Sequence, residues 1–462
     1  MGLCAVELSG GLSARYITRS STFGRGEASR RDTYGRVERA RDIHRLRYSV
    51  LMRFCMVTTF YPPYHFGGDA VFIQQLSNEL AKRGHYVEVV HCKDTFDFMT
   101  DRQPTVVCED HPNVLVHTLE SSVGWISPLA THQTGRPCFK SIRLKEILEQ
   151  PFDVIHYHNI SLVGGPDVLR YGTAAKLYTL HEYWLVCPTH MLFKFNREAC
   201  TDRQCFSCTL LHGRPAQLWR YSHLLKQSVK HVDLFFAPSA FTRDKHRELG
   251  LNVPTVELPY FSSRWENQVV ETARPSNGVH YFLFVGRLEK IKGVQTVIPL
   301  FRRYDRAQLW IVGTGDYEAE LRRMAQGSSN IKFLGYESSD RLRTLYEQAI
   351  ATIVPSIWYE VFGIIILESF ARATPAIVRN IGGMPKVIEE SGGGLVFNTD
   401  QELLHAMDRL IEDPSLRDKL GRQGNIALRK KWTADVHIPC YIGHIERVLE
   451  SRRQKSAGST MS

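Results

Sequence analysis

No run of about 18 apolar residues occurs in the chain, so nothing in it reads as a bilayer-spanning helix. No Asp-x-Asp triplet occurs, and a carboxylate-bound Mg²⁺ is therefore not expected. Lysine is missing from residues 1–52, which hold ten Arg against five acids (Glu7, Glu27, Asp32, Glu38 and Asp42). That segment carries half of the formal net charge of +10. The other residues are too mildly basic to argue nucleic-acid binding, so no nucleic-acid partner is expected. Their charge is compatible with rest on an anionic membrane surface. The start, Met-Gly-Leu-Cys-Ala-Val, lacks the apolar core of a secretory signal. It also has Val6 where a myristoylation signal has Ser or Thr. The expected location is cytoplasmic, with peripheral contact at the inner face of the cell membrane left open. Residues 1–52 read as a basic, disordered tail, or as sequence upstream of a start at Met52. Cysteines standing singly in apolar runs (Cys55, Cys92, Cys108) read as buried free thiols.

From Arg53 onward, short apolar runs alternate with amphipathic helices. Arg53–Phe60 is a strand candidate, followed by a Gly-rich turn and a helix over Asp69–Arg83 that Gly84 ends. The rhythm continues with strands near Tyr86–His91, Val114–Thr118, Val154–Tyr157, Lys176–Leu180, Leu234–Ala237 and Thr255–Leu258. Helices are expected near Ile142–Gln150, over Gln217–Lys230, and from a Ser239 cap to Leu249. Such units imply parallel sheets with right-handed crossovers. Residues 259–278 break the pattern and read as a linker. A second strand–helix series then occupies 279–432, with strands from Tyr281–Val285 to Gly394–Phe397. A C-terminal helix over 433–452 is expected to pack back toward the N-terminal domain (53–258), leaving 453–462 as a tail. The fold class is α/β, with two Rossmann-like domains whose parallel sheets face a central cleft. Ligands in such sheets bind beyond the carboxyl ends of the strands.

Residues 355–389 carry the strongest chemical signal. A strand ends, a loop holds Glu360, and Gly363 opens a helix holding Glu368 that Pro375 stops. Eight residues of helix would separate these carboxylates by only about 80°. The packed run Ile364–Leu367 fixes a helix start whose N–H groups suit a diphosphate. A carboxylate on the helix suits ribose hydroxyls, and one in the loop suits a sugar. The second signal is FVGRLEKIKG, residues 284–293, where Arg287 and Lys292 follow a strand end. Two fixed cations there suit a departing diphosphate. Gly67 and Gly68 follow the first strand and allow close approach of backbone to phosphate or sugar. His181 and Glu182 end the strand in YTLHEYWLVCP, at the edge where a cleft would lie.

The segments FVGRLEKIKG, GTGDYEAELR, NIKFLGY and PSIWYEVFGIIILESFARATPAIVRNIGGMPKVI resemble glycosyltransferase family 4, the group 1 glycosyltransferases of GT-B fold. The likeness covers about residues 53–450, and the Glu-x7-Glu pair trailed by Gly382–Gly383 is its most specific mark. It implies a hexosyltransferase (EC 2.4) that moves a sugar from a nucleoside-diphosphate sugar with retention, and no cofactor for catalysis. It implies that Arg287 and Lys292 hold the diphosphate, helped by Gly68 and the loop at Phe362, Gly363 and Ile364. It implies Glu368 on the ribose, Glu360 on the donor sugar, and His181 facing the donor as a catalytic residue. Thr374 stands where the family usually has Gly, and Glu182 where Asp is common, which leaves donor choice open. The acceptor is a glycan, a lipid-linked sugar or a small molecule, in cell-surface polysaccharide or glycoconjugate synthesis. A sugar phosphorylase, a nucleotide-sugar epimerase and a non-catalytic nucleotide-sugar-binding scaffold are the alternatives.

The insertion 183–212 holds Cys187, Cys200, Cys205 and Cys208 at spacings C-x12-C-x4-C-x2-C. Four cysteines so spaced can close a structural zinc site, with His190 and His212 as spare ligands, or hold an iron–sulfur centre. Free thiols, or one or two disulfides, which a cytosolic location disfavours, are the alternatives. Residues 209–231 mix Leu, Trp219 and Tyr221 with basic residues and read either as an interfacial helix or as a sheet-covering one.

Overall fold

Apolar strand runs drive two sheets in the computed structural model, which describes residues 51–100, 104, 109–265 and 279–459. The tail reading for 1–50 lies outside the described residues, as do Cys108, residues 266–278 of the expected linker, and 460–462. Residues Arg53–Ser462 form one compact unit.

The first lobe is a seven-stranded parallel sheet. Its strands are β1 (Arg53–Val57), β2 (Tyr86–Cys92), β3 (Val114–Leu119), β4 (Val154–Tyr157), β5 (Ala175–Thr179), β8 (Leu234–Ala237) and β9 (Thr255–Glu257), in the order β3-β2-β1-β4-β5-β8-β9. Between β5 and β8 stands a small antiparallel hairpin, β6 (Phe193–Lys194) and β7 (Glu198–Ala199). The central strands β1, β4 and β5 are buried almost throughout, as expected where helices cover both faces of a parallel sheet.

The second lobe is a six-stranded parallel sheet. It comprises β10 (Tyr281–Val285), β11 (Gln308–Val312), β12 (Ile331–Gly335), β13 (Thr352–Val354), β14 (Ala376–Arg379) and β15 (Gly394–Phe397), in the order β12-β11-β10-β13-β14-β15. Each sheet reverses its strand order beside its first strand, β1 or β10. That is the switch point where such sheets open a crevice at the carboxyl ends of their strands.

Three expectations change. The helix expected over Gln217–Lys230 is broken into 3-10 turns at Leu218–Tyr221 and Val229–His231 around a short helix, Leu224–Ser228. Trp219 is the cause. Its ring is buried against Trp184, and its Nε1 donates to the His132 carbonyl at 2.9 Å, so the chain must bend. The final helix runs Ala434–Ser459, through residues read as a tail. It lies on the first lobe, where Tyr441 meets His156 (Oη to Nδ1, 2.8 Å) and Arg452 meets Asp233 (2.7 Å). Residues 259–265 are also no plain linker, because Tyr260, Phe261 and Trp265 are buried.

Candidate active site

Two loops of the second lobe are stitched together at the carboxyl ends of β10 and β13. The Ile357 N–H donates to the Ile291 carbonyl at 2.9 Å. Gly293, at φ +77°, is packed so closely that a Cβ there would overlap the Pro355 carbonyl oxygen. This registration brings Lys292 to Glu360, with Nζ 2.7 Å from Oε1. The Ser356 hydroxyl donates to the same oxygen at 2.8 Å. Glu360 is buried. Burial by itself raises its carboxyl pKa, but the Lys292 charge and the hydrogen bonds from Lys292, Trp358 and Ser356 outweigh burial and hold it below the usual range. The carboxylate is therefore ionised near neutrality, with the bonds from Lys292 and Ser356 both falling on Oε1.

Glu368 sits on the helix Ile364–Ala371, whose N-cap Gly363 adopts φ +94°. Its two oxygens have separate partners. Arg264 donates to Oε1 at 2.8 Å and the Tyr346 hydroxyl to Oε2 at 3.1 Å. The first turn of this helix leaves amide N–H groups without intrahelical acceptors. Arg287 is about half exposed and pairs with Glu289 at 2.9 Å.

The first lobe closes over these groups. A Cβ on Gly67 would stand 3.9 Å from the Arg287 guanidinium, and one on Gly68 would stand 3.9 Å from Ile364 Cδ1. Ser239 caps the helix Ala240–Glu248 and also donates to the Val361 carbonyl at 2.6 Å. The rings of Tyr183 and Trp358, Phe241 and Tyr359, and Tyr260 and Phe362 meet across the cleft at centroid separations of 6.4, 5.3 and 5.6 Å. Phe362 and Glu360 are buried where the lobes meet.

His181 is at the cleft end of β5, but both its ring nitrogens are engaged. Nε2 faces His158 Nδ1 at 2.8 Å and Nδ1 meets the Tyr260 hydroxyl at 2.6 Å. Burial lowers its pKa to about 4, so it is neutral at pH 7. A sugar contact by this ring has to exchange one of those bonds. Thus Arg287, Lys292, Glu360, Gly68, Phe362, Gly363 and Ile364 come together at the lobe boundary. Glu368 lies on the same helix, and His181 joins the group through Tyr260 and Phe362.

Sequence reasoning missed Tyr260, Arg264, Tyr346 and His65. The last is held below its usual pKa by burial and lies beside Gly67, Asp69 and Arg287. Aromatic residues at 260, 261 and 265 within an otherwise polar stretch were the one available signal for the first two. Among the described residues the cysteines form no disulfide, and no three His, Cys, Asp or Glu side chains stand at metal-holding separation.

Residues 66–257 match the family model for glycosyltransferase family 4, and residues 270–426 match that for glycosyl transferases group 1. The chain belongs to the group 1 glycosyltransferases. As a member of that family it is a hexosyl-transferring enzyme. It is similar to the O-antigen chain mannosyltransferase C of Escherichia coli, 26% identical over 421 residues, covering 87% of this chain and 100% of that protein. Among solved structures, it resembles sucrose-phosphate synthase from Thermosynechococcus elongatus (TM-score 0.65, 19% identity, 87% of this chain and 100% of that one). It also resembles Anabaena HepE in complex with UDP-glucose (TM-score 0.59, 16% identity, 87% and 100%). These likenesses fix the two-lobed architecture of this glycosyltransferase as GT-B. No helix among the described residues is long and apolar enough to cross a membrane.

Proposed function

We propose that this enzyme transfers a hexose, with retention, from a nucleoside-diphosphate sugar to a glycan or lipid-linked acceptor in cell-surface polysaccharide or glycoconjugate synthesis. The buried Lys292–Glu360 pair carries the reading, because it places one cation and one sugar-binding carboxylate 2.7 Å apart at a strand end. Lys292 has three donor hydrogens, so it can keep Glu360 while it meets a β-phosphate. Arg287, opposite Gly67, supplies the second cation, and the amides at Gly363–Ile364 supply neutral donors. As the glycosidic bond breaks, negative charge grows on the diphosphate. Groups already aimed there stabilise that charge by about 3–4 kcal/mol each.

Glu360 Oε2 receives a hydroxyl of the transferred sugar, and its negative charge favours the developing oxocarbenium. Glu368, held flat by Arg264 and Tyr346, has lone pairs left on both oxygens for ribose hydroxyls. His181 contributes by exchanging Tyr260 for a donor hydroxyl. Lobe closure excludes water and limits donor hydrolysis. The E. coli relative, named as an O-antigen chain mannosyltransferase, supports a surface-polysaccharide role and a mannose donor. The Anabaena structure, solved in complex with UDP-glucose, supports a nucleotide-sugar donor.

A panel of UDP-, GDP- and ADP-hexoses, assayed for nucleoside-diphosphate release, decides among these. Release from one base class that Arg287→Ala abolishes is expected, with the product anomer read by NMR. Phosphorolysis of a disaccharide without any nucleotide, or binding of a donor with no turnover across a broad acceptor panel, would overturn the proposal.

A further inference from the structure

Outside the donor site, the densest set of ligating side chains lies in the insertion between β5 and β8. Cys187 follows β5, Cys200 closes the small hairpin, and Cys205 and Cys208 lie on one helix, Cys205–Leu211. All four line a single cavity of about 20 Å³. A water needs about 10–15 Å³ on this scale, so the space suits one ion and not a multi-iron cluster. The loop is held in unfavourable backbone, with φ of +74° at His190, +48° at Leu192, +52° at Phe195 and +56° at Asn196. Its regular structure is a hairpin with two residues in each strand and a seven-residue helix.

A second observation is independent of the sulfurs. Arg220 lies half-buried between Trp184 and Trp219, with its guanidinium 5.1 and 4.7 Å from the two ring centroids. It donates to the Trp184 carbonyl and to Gln217, and among the described residues no carboxylate pairs with it. A cation partly withdrawn from water is helped by neighbouring negative charge, and Cys187 and Cys205 are the strongest such influences on Arg220, ahead of Glu182.

We propose that Cys187, Cys200, Cys205 and Cys208 bind one structural Zn²⁺ as thiolates. The four thiols lose their protons on binding, and the resulting centre carries a charge of about −2. Arg220 offsets part of it. The Phe195 N–H already donates to Cys208 Sγ at 3.3 Å. In the present conformation the sulfurs face other partners. Cys187 meets the Thr189 hydroxyl and Cys200 the Asp202 carbonyl, each at 3.3 Å. No three of these sulfurs stand at metal-holding separation here, so binding requires side-chain rotations that gather them around the cavity they already line. The histidines once considered as spare ligands are committed, His190 to Glu182 at 2.6 Å and His212 to the Phe193 carbonyl at 3.0 Å. The hairpin tip also reaches the donor site, because Lys290 Nζ donates to the Asn196 carbonyl at 2.8 Å, two residues from Lys292. The metal therefore steadies the loop that holds the leaving group.

The test is the metal content of the full chain, purified under reducing conditions. About one zinc per chain is expected. Growth with cobalt should give the thiolate charge-transfer and d–d bands of a tetrahedral site. Cys205→Ser should lose those bands and raise donor KM, while Cys138→Ser keeps both at wild-type values. If Cys205→Ser does not fold, titration of the wild type with a mercurial should release the zinc as the cluster thiols react. Less than about one zinc in ten chains, iron with acid-labile sulfide, or a disulfide between any two of the four would overturn the proposal.

Discussion

Replacing Lys292 by Met deletes one charge of a pair that has little water to fall back on. Glu360 would keep the Ser356 bond but lose its counter-ion. Breaking a buried pair from one side costs about 3–5 kcal/mol, and the lower end applies because the Lys292 side chain is about one-fifth exposed. The sign with pH follows from the shift. In the wild type the Glu360 pKa lies below its unfolded value. Its contribution is thus present above the unfolded carboxylate pKa and lost as pH falls through the folded one. Without Lys292, burial dominates and the pKa lies above the unfolded value, so the variant's deficit shrinks toward acid. The double variant Lys292→Met/Glu360→Gln removes both charges and should recover about 1–3 kcal/mol of the single variant's loss. Activity should not follow stability. Lys292→Met alone should lower kcat about 10²–10³-fold, and the double variant should be no better. Urea unfolding at several pH values and nucleotide-release kinetics read the two quantities separately. A double variant that regains activity along with stability, or a single variant as stable as the wild type, would refute the reasoning.

Arg264→Ala should raise donor KM roughly tenfold with little change in kcat, since it loosens Glu368 without touching the reacting atoms. A 2′,3′-dideoxyribose donor should erase the difference between variant and wild type. Gly382→Ala forces an L-residue into φ +68° with its Cβ against the Glu360 backbone. It should cost about 1–3 kcal/mol in unfolding experiments and lower kcat more than tenfold. His181 and His437, both held near pKa 4 by burial, bind fewer protons folded than unfolded between about pH 4 and 6.5. Stability should be full above about 6.5 and fall toward 4, with His181 worth about 3 kcal/mol across that window. His181→Gln should flatten the slope of the acid titration curve.

The readable parts of this protein are those whose physics is local. Strand runs such as Tyr281–Val285 and Gln308–Val312 announce themselves by apolar composition, and caps such as Ser239 by position. The two glutamates are eight residues apart on one loop–helix unit, so chain geometry alone brings them to one edge. Arg287 and Lys292 likewise share a turn. What could not be read are partners joined only by the fold. Arg264 meets Glu368 across 104 residues, and Tyr260 meets His181 across 79. The segment 259–265 shows why. Its average polarity argues for an exposed linker, yet Tyr260 and Phe261 are buried against Phe72 of the first lobe and Trp265 against Tyr346 of the second. A chain that crosses between two packed lobes has apolar surface on both sides of it. Its burial is set by where it runs and not by its composition. The residues most able to couple the lobes to the donor are therefore the ones that a pattern-based reading assigns to a tether.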